Sequence, residues 1–88
     1  MAGYFNAGQD CTAATRVLAS SSIHDELVAA LAEQAAANKT GAPDDDEVAF
    51  GPLNNATQLG RVRALVEGAP SHAEVVAGGH QVGGRGYF

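Results

Sequence analysis

The size of the apolar side chains constrains this chain more than any other feature. Alanine supplies 18 of the 40 apolar residues, and Val, Ile, Leu and Phe together supply another 18 among 88 positions. A large side chain contributes about 1.5–3 kcal/mol when fully buried, whereas ordering the backbone costs about 1–2 kcal/mol per residue. The chain is therefore one small domain at most, with marginal stability of its own. No apolar run approaches the roughly 20 residues that span a bilayer, so no membrane helix and no membrane partner is expected.

Ten acids against five bases give a net charge of −5, with no Trp and only five aromatic residues. Arg61, Arg63 and Arg85 are too scattered to form a basic patch, so no nucleic-acid partner is expected. The acidic balance favours solubility and names no partner. Cys11 is the single cysteine, which excludes an internal disulfide framework and suits a reducing compartment. The start, Met-Ala-Gly-Tyr-Phe-Asn, lacks the basic and apolar regions of a secretory signal. A cytoplasmic location is the expectation.

Ile23, Leu27, Val28, Leu31 and Ala35 recur at helical spacing and predict a helix from about Ile23 to Asn38. Ser22 is its expected N-cap, with Asp25 as a short capping-box partner. Lys39 in the last turn, Gly41 and Pro43 give the stop. A second helix is predicted from about Ala56 to Glu67, with Leu59, Val62, Leu65 and Val66 on its apolar face. Asn55 is its expected cap, and Gln58 reaches back to it. Gly60 weakens its middle by about 1 kcal/mol relative to alanine. Two β-prone runs, Arg16-Val17-Leu18-Ala19-Ser20 and Glu74-Val75-Val76-Ala77-Gly78, flank the helices. That order predicts an α/β fold, a partial parallel sheet with two crossover helices. Parallel strands are normally covered on both faces, so two alone make a poor sheet. Aromatic residues at both ends, Tyr4-Phe5 and Tyr87-Phe88, read as cut ends of something larger.

Cys11 is the centre of chemical interest. It follows a glycine turn and precedes a helix-prone stretch, and free N–H groups at a helix start favour a thiolate and an oxyanion on a substrate carbonyl. The alternative is a buried cysteine serving as a small hydrophobe. Asp10 argues against activation, because a neighbouring negative charge raises a thiol pKa. The acid run Asp44 to Glu47 lacks the spacing of a calcium loop and reads as a solvated loop. His24, His72 and His80 show no metal-ligand spacing, so no metal site is expected. A Cys11–His24 pair would be the seed of a cysteine hydrolase. Gly79 to Gly84 followed by Arg85 lacks the Lys and Ser/Thr of a phosphate loop and reads as a flexible turn.

The stretch Tyr4 to Arg16, with Asn6, Gly8-Gln9, Cys11 and Arg16 placed as they are, closely resembles the cysteine signature of the aldehyde dehydrogenase superfamily. The resemblance continues through Ile23-His24-Asp25-Glu26-Leu27, Gly51-Pro52-Leu53, Gln58-Leu59-Gly60-Arg61-Val62, Ala77-Gly78-Gly79 and Gly86-Tyr87-Phe88. These pieces stand in family order and at family spacing over nearly all of the chain. Gly-Gln-Asp-Cys-Thr-Ala-Ala in particular resembles the aminobutyraldehyde and betaine-aldehyde branch.

The resemblance implies that residues 1–88 are a fragment of an aldehyde dehydrogenase catalytic domain, truncated at both ends. Cys11 would attack an aldehyde, giving a thiohemiacetal and then a thioester, the two-step logic of covalent catalysis. Its own N–H, with an asparagine amide from elsewhere, would hold the oxyanion. The cofactor would be NAD or NADP, with none expected bound to the isolated segment. Gln58 and Arg61 fall where the family has a glutamine and a lysine contacting a cofactor ribose; arginine is not equivalent to that lysine. Solvated or capping roles remain the alternative for both. Asp10 would favour aldehydes bearing a distant amine, or would serve only as a solvated or capping aspartate at a helix start. The general-base glutamate, the oxyanion asparagine and most of the dinucleotide-binding domain would precede this chain, and the ribose-holding glutamate would follow it. The isolated segment is therefore expected to be inactive, and the working enzyme a homo-oligomer. The competing expectation is a non-catalytic remnant that self-associates through uncovered apolar faces.

Overall fold

The computed structural model describes residues 2–84 and 86–87. Arg85, expected to close the glycine-rich tail, and Phe88, the last residue of the Gly86-Tyr87-Phe88 piece, lie outside the described residues. The element order is a short 3-10 segment, Phe5–Gly8, then helix α1, His24–Ala37, and helix α2, Ala56–Glu67. None of the described helices is long and apolar enough to cross a membrane.

Helix α1 lies within the expected span, but its start differs. Its N-cap is Ile23, which offers no side-chain oxygen. The expected cap, Ser22, turns its hydroxyl to that of Ser20 at 2.9 Å. Asp25 accepts no capping bond and instead meets His24 Nδ1 at 2.8 Å. Asp25 and Glu26 still place negative charge at the positive end of the helix. At the other end, Asn38 Nδ2 donates to the Gln34 carbonyl at 2.9 Å, satisfying one of the last free carbonyls. Lys39 falls beyond the helix and reaches Glu47 at 3.7 Å.

Helix α2 has the expected boundaries. Asn55 sits in extended conformation and its Oδ1 accepts from the Gln58 N–H at 2.9 Å, the standard N-cap bond. Arg63 Nε donates to Glu67 one turn on at 2.7 Å. Leu59, Val62 and Val66 are half-buried, whereas Leu65, expected on the same face, is 77% exposed.

The expected parallel sheet is not formed. Among the described residues there is no β-strand, and the one bridge is a parallel pairing of Thr40 with Phe50. Neither 16–20 nor 74–78 joins a ladder, and Leu18 is 84% exposed. A parallel strand is stabilised by neighbours on its edges and cover on its faces, and no described segment supplies either.

The helices do not pack against each other. What holds the chain together lies between them, at Phe50, the only buried apolar side chain among the described residues. The Gly41 N–H donates to the Phe50 carbonyl at 3.1 Å, and the Ala49 N–H to the Lys39 carbonyl at 3.3 Å. The Tyr4 and Phe50 rings meet in a T-shaped pair with centroids 6.3 Å apart. The Leu53 N–H donates to the Tyr87 carbonyl at 3.0 Å, drawing in the tail. The radius of gyration is 14.0 Å, against about 12 Å for a compact domain of this length.

Candidate active site

Cys11 lies near the end of a loop that leaves and returns at one point. The Ala14 N–H donates to the Ala2 carbonyl at 3.1 Å, closing the stem. Gly3 sits so near that a Cβ there would lie 3.0 Å from the Ala14 carbonyl oxygen. Beyond Tyr4 the backbone turns left-handed at three successive residues, Asn6 (φ 51°), Ala7 (φ 55°) and Gly8 (φ 76°). Glycine takes such angles freely and asparagine tolerates them; Ala7 is held there against its preference. The turn closes when the Gln9 N–H donates to the Asn6 carbonyl and Asn6 Nδ2 donates to the Gln9 carbonyl, both at 3.1 Å.

The next turn carries the cysteine. Asp10 Oδ1 accepts from the Thr12 N–H and from the Thr12 hydroxyl, each at 2.8 Å. The Ala13 N–H closes onto the Asp10 carbonyl at 3.1 Å. Cys11 is exposed on this turn. Cys11 is thus not buried by this chain, and the expected helix start does not form among the described residues. Asp10 accepts from the Thr12 N–H as an N-cap would, but the Ala14–Ala2 bond draws the chain away from a helical path. One part of the expectation survives without the helix: the Cys11 N–H meets no acceptor among the described residues. The Thr12 bonds, the backbone one first, hold the Asp10 carboxyl below its ordinary value. A fixed negative charge therefore adjoins the thiol.

Gln58 and Arg61 lie three residues apart on α2, a spacing that puts them on neighbouring turns of one side. The expected capping box is only half made. Asn55 caps the Gln58 N–H, but among the described residues the Gln58 side chain makes no return bond. Arg61 is exposed and, among the described residues, pairs with no acid. Both side chains therefore retain their hydrogen-bonding capacity.

His24 is engaged with Asp25. In the acid run, Asp45 Oδ1 accepts from the Glu47 N–H at 2.9 Å, so it closes its own turn. The grouping that sequence reasoning missed is Tyr4 on Phe50. A cleft of about 310 Å³ runs between the cysteine loop, at Phe5, Asn6, Ala7 and Gln9, and the Phe50 loop, at 49–52. The available signal was Val48-Ala49-Phe50, an apolar step between the acid run and Gly51-Pro52.

A left-handed turn leading into an exposed cysteine with an open N–H suits a chain that presents a nucleophile to a carbonyl. The chain matches the aldehyde dehydrogenase family over residues 1–88 and belongs to it. It is 42% identical over 86 residues to the mitochondrial aldehyde dehydrogenase of Leishmania tarentolae, covering 97% of this chain and 17% of that protein. It is 38% identical to the cytosolic 10-formyltetrahydrofolate dehydrogenase of Mus musculus, covering 97% and 10%. The structure of an aldehyde dehydrogenase from Bacillus cereus in complex with NAD+ superposes with a TM-score of 0.92 at 35% identity, over 99% of this chain and 18% of that one. The chain thus spans less than a fifth of these relatives.

Proposed function

We propose that this chain is the nucleophile-bearing segment of an NAD(P)-dependent aldehyde dehydrogenase, with Cys11 as the nucleophile. The observation that carries the reading is the presentation of Cys11. Its thiol is exposed, and its own N–H is left without an acceptor among the described residues by a turn that consumes the next N–H instead. The thiolate adds to the aldehyde carbon to give a thiohemiacetal. The Cys11 N–H lies on the nucleophile's own residue, where it can donate to the developing oxyanion. The dinucleotide, when bound, accepts the hydride that leaves this carbon. The acyl group then stays on Sγ as a thioester until water hydrolyses it, releasing the acid and the thiol. Gln58 and Arg61 fit the cofactor as polar donors side by side on α2, neither spent on another described residue.

The reading is tested by grafting this segment in place of its counterpart in the Bacillus cereus enzyme. After an acid quench during turnover, the expected outcome is an acyl adduct on the peptide carrying Cys11, detected by mass spectrometry. A turning-over graft with the acyl group on another residue would exclude Cys11 as the nucleophile.

The finer reading is an ω-amino aldehyde substrate of the aminobutyraldehyde type, supported by the ionised Asp10 carboxylate beside Cys11. In the same graft, Asp10→Asn is expected to raise KM for an amino aldehyde several-fold more than for a neutral aldehyde of equal length. Equal effects on the two would remove the charge argument. The isolated chain is proposed to be inactive, since none of its acids stands in the motif context of the family's two glutamates.

A further inference from the structure

We propose that Phe50 is a positioning residue for Cys11 and acts through the ring of Tyr4. The proposal rests on reading Cys11 as the nucleophile, but its geometry is independent of the chemistry. Phe50 is 6% exposed in a molecule where Val17, Leu18, Leu65, Val75 and Val76 are all more than half exposed. Its backbone is fixed from one side by the Thr40 bridge and the Gly41 N–H, which tie it to the chain leaving α1. From the other side Tyr4 meets it edge to face, with the ring planes at 62°, an arrangement favoured by the ring quadrupoles.

Tyr4 immediately precedes the left-handed turn, and Cys11 lies seven residues further on. Little in that interval can yield. Asn6 and Ala7 occupy a narrow left-handed well, the Asn6–Gln9 pair closes the first turn, and Asp10–Thr12 closes the second. A displacement of Tyr4 is therefore carried through to Cys11, because the loop moves as two linked turns. Phe50 in turn fixes Tyr4 to the end of α1.

The test uses the 88-residue chain and two amide resonances. The Thr12 amide reports the turn that carries Cys11, and its shift follows the titration of Asp10. The Gln58 amide, capped by Asn55, reports α2. In Phe50→Ala the expected result is a shifted Thr12 resonance whose pH midpoint stays below the ordinary carboxylate value, because the Asp10–Thr12 turn travels intact, with Gln58 unchanged. Tyr4→Leu is expected to do the same, and Tyr4→Phe, which keeps the ring, to behave as the parent chain. An unshifted Thr12 resonance in Phe50→Ala, or a midpoint that rises to the ordinary carboxylate value, overturns the proposal. If Phe50→Ala also disturbs Gln58, Tyr4→Leu decides: a change confined to Thr12 supports positioning. No change at Thr12, or a parallel loss at Gln58, overturns it. None of these outcomes depends on whether Cys11 reacts with aldehydes, so failure of the positioning role and failure of the nucleophile role are read separately.

Discussion

Asp10 shows how one side chain can override a local preference. The residues after Cys11 are helix-prone alanines and threonines, yet Asp10 Oδ1 takes both donors of Thr12 and closes a turn instead. Aspartate competes for nearby backbone donors in this way wherever the geometry permits. The consequence for pH is specific. The folded carboxyl titrates below its unfolded value, so the turn is fully favoured above the unfolded pKa and loses that support as pH falls through the lowered folded pKa. A pH titration of the Thr12 amide by NMR is expected to show a midpoint below the ordinary carboxylate range, and Asp10→Asn to abolish the titration. A midpoint at or above the ordinary value would contradict the turn. The family was legible in the signature that surrounds Cys11. The setting of Cys11 was not, because the choice between an Asx turn and a helix start depends on where Ala14 is drawn, a contact with Ala2 twelve residues away.

At the scale of elements, local chemistry was enough for α2 and insufficient elsewhere. Asn55, the apolar spacing and Gly68 all agree on one helix, and the observed bounds are Ala56–Glu67. For α1 the periodicity placed the body, but a serine in the right position did not become the cap. The two caps make opposite predictions. Asn55→Ala is expected to destabilise α2 by about 1 kcal/mol, seen as lost helicity by circular dichroism, while Ser22→Ala leaves α1 unchanged. A loss at Ser22 as large as that at Asn55 would contradict the observed start of α1. The two β-prone runs were expected as parallel strands, and neither forms one, since a strand requires a partner that propensity alone cannot provide. The Tyr4–Phe50 contact escaped for a similar reason: it joins residues 46 positions apart, and no period of the sequence reports it.

The whole molecule explains the abundance of alanine. The chain exposes 7045 Å², against about 4,800 Å² for a compact monomer of its mass. The excess is more than twice the roughly 800 Å² that one partner buries in a protein–protein interface of ordinary size. Small side chains on α1 and uncovered valines at 75 and 76 suit close packing against further protein, and a core of one phenylalanine does not suit independence. This agrees with a chain that spans 17–18% of relatives such as the Leishmania tarentolae and Bacillus cereus proteins. The central claim is that Cys11 supplies the nucleophile once such neighbours are present. It is tested most directly by NADH production from an aldehyde in the Bacillus cereus graft, with Cys11 intact and as Cys11→Ala, beside the isolated chain. The account predicts turnover in the intact graft, a loss of at least a thousandfold in Cys11→Ala, and none from the isolated chain. Turnover that survives Cys11→Ala, or a folded, NAD-binding graft that is inactive with Cys11 in place, would contradict it.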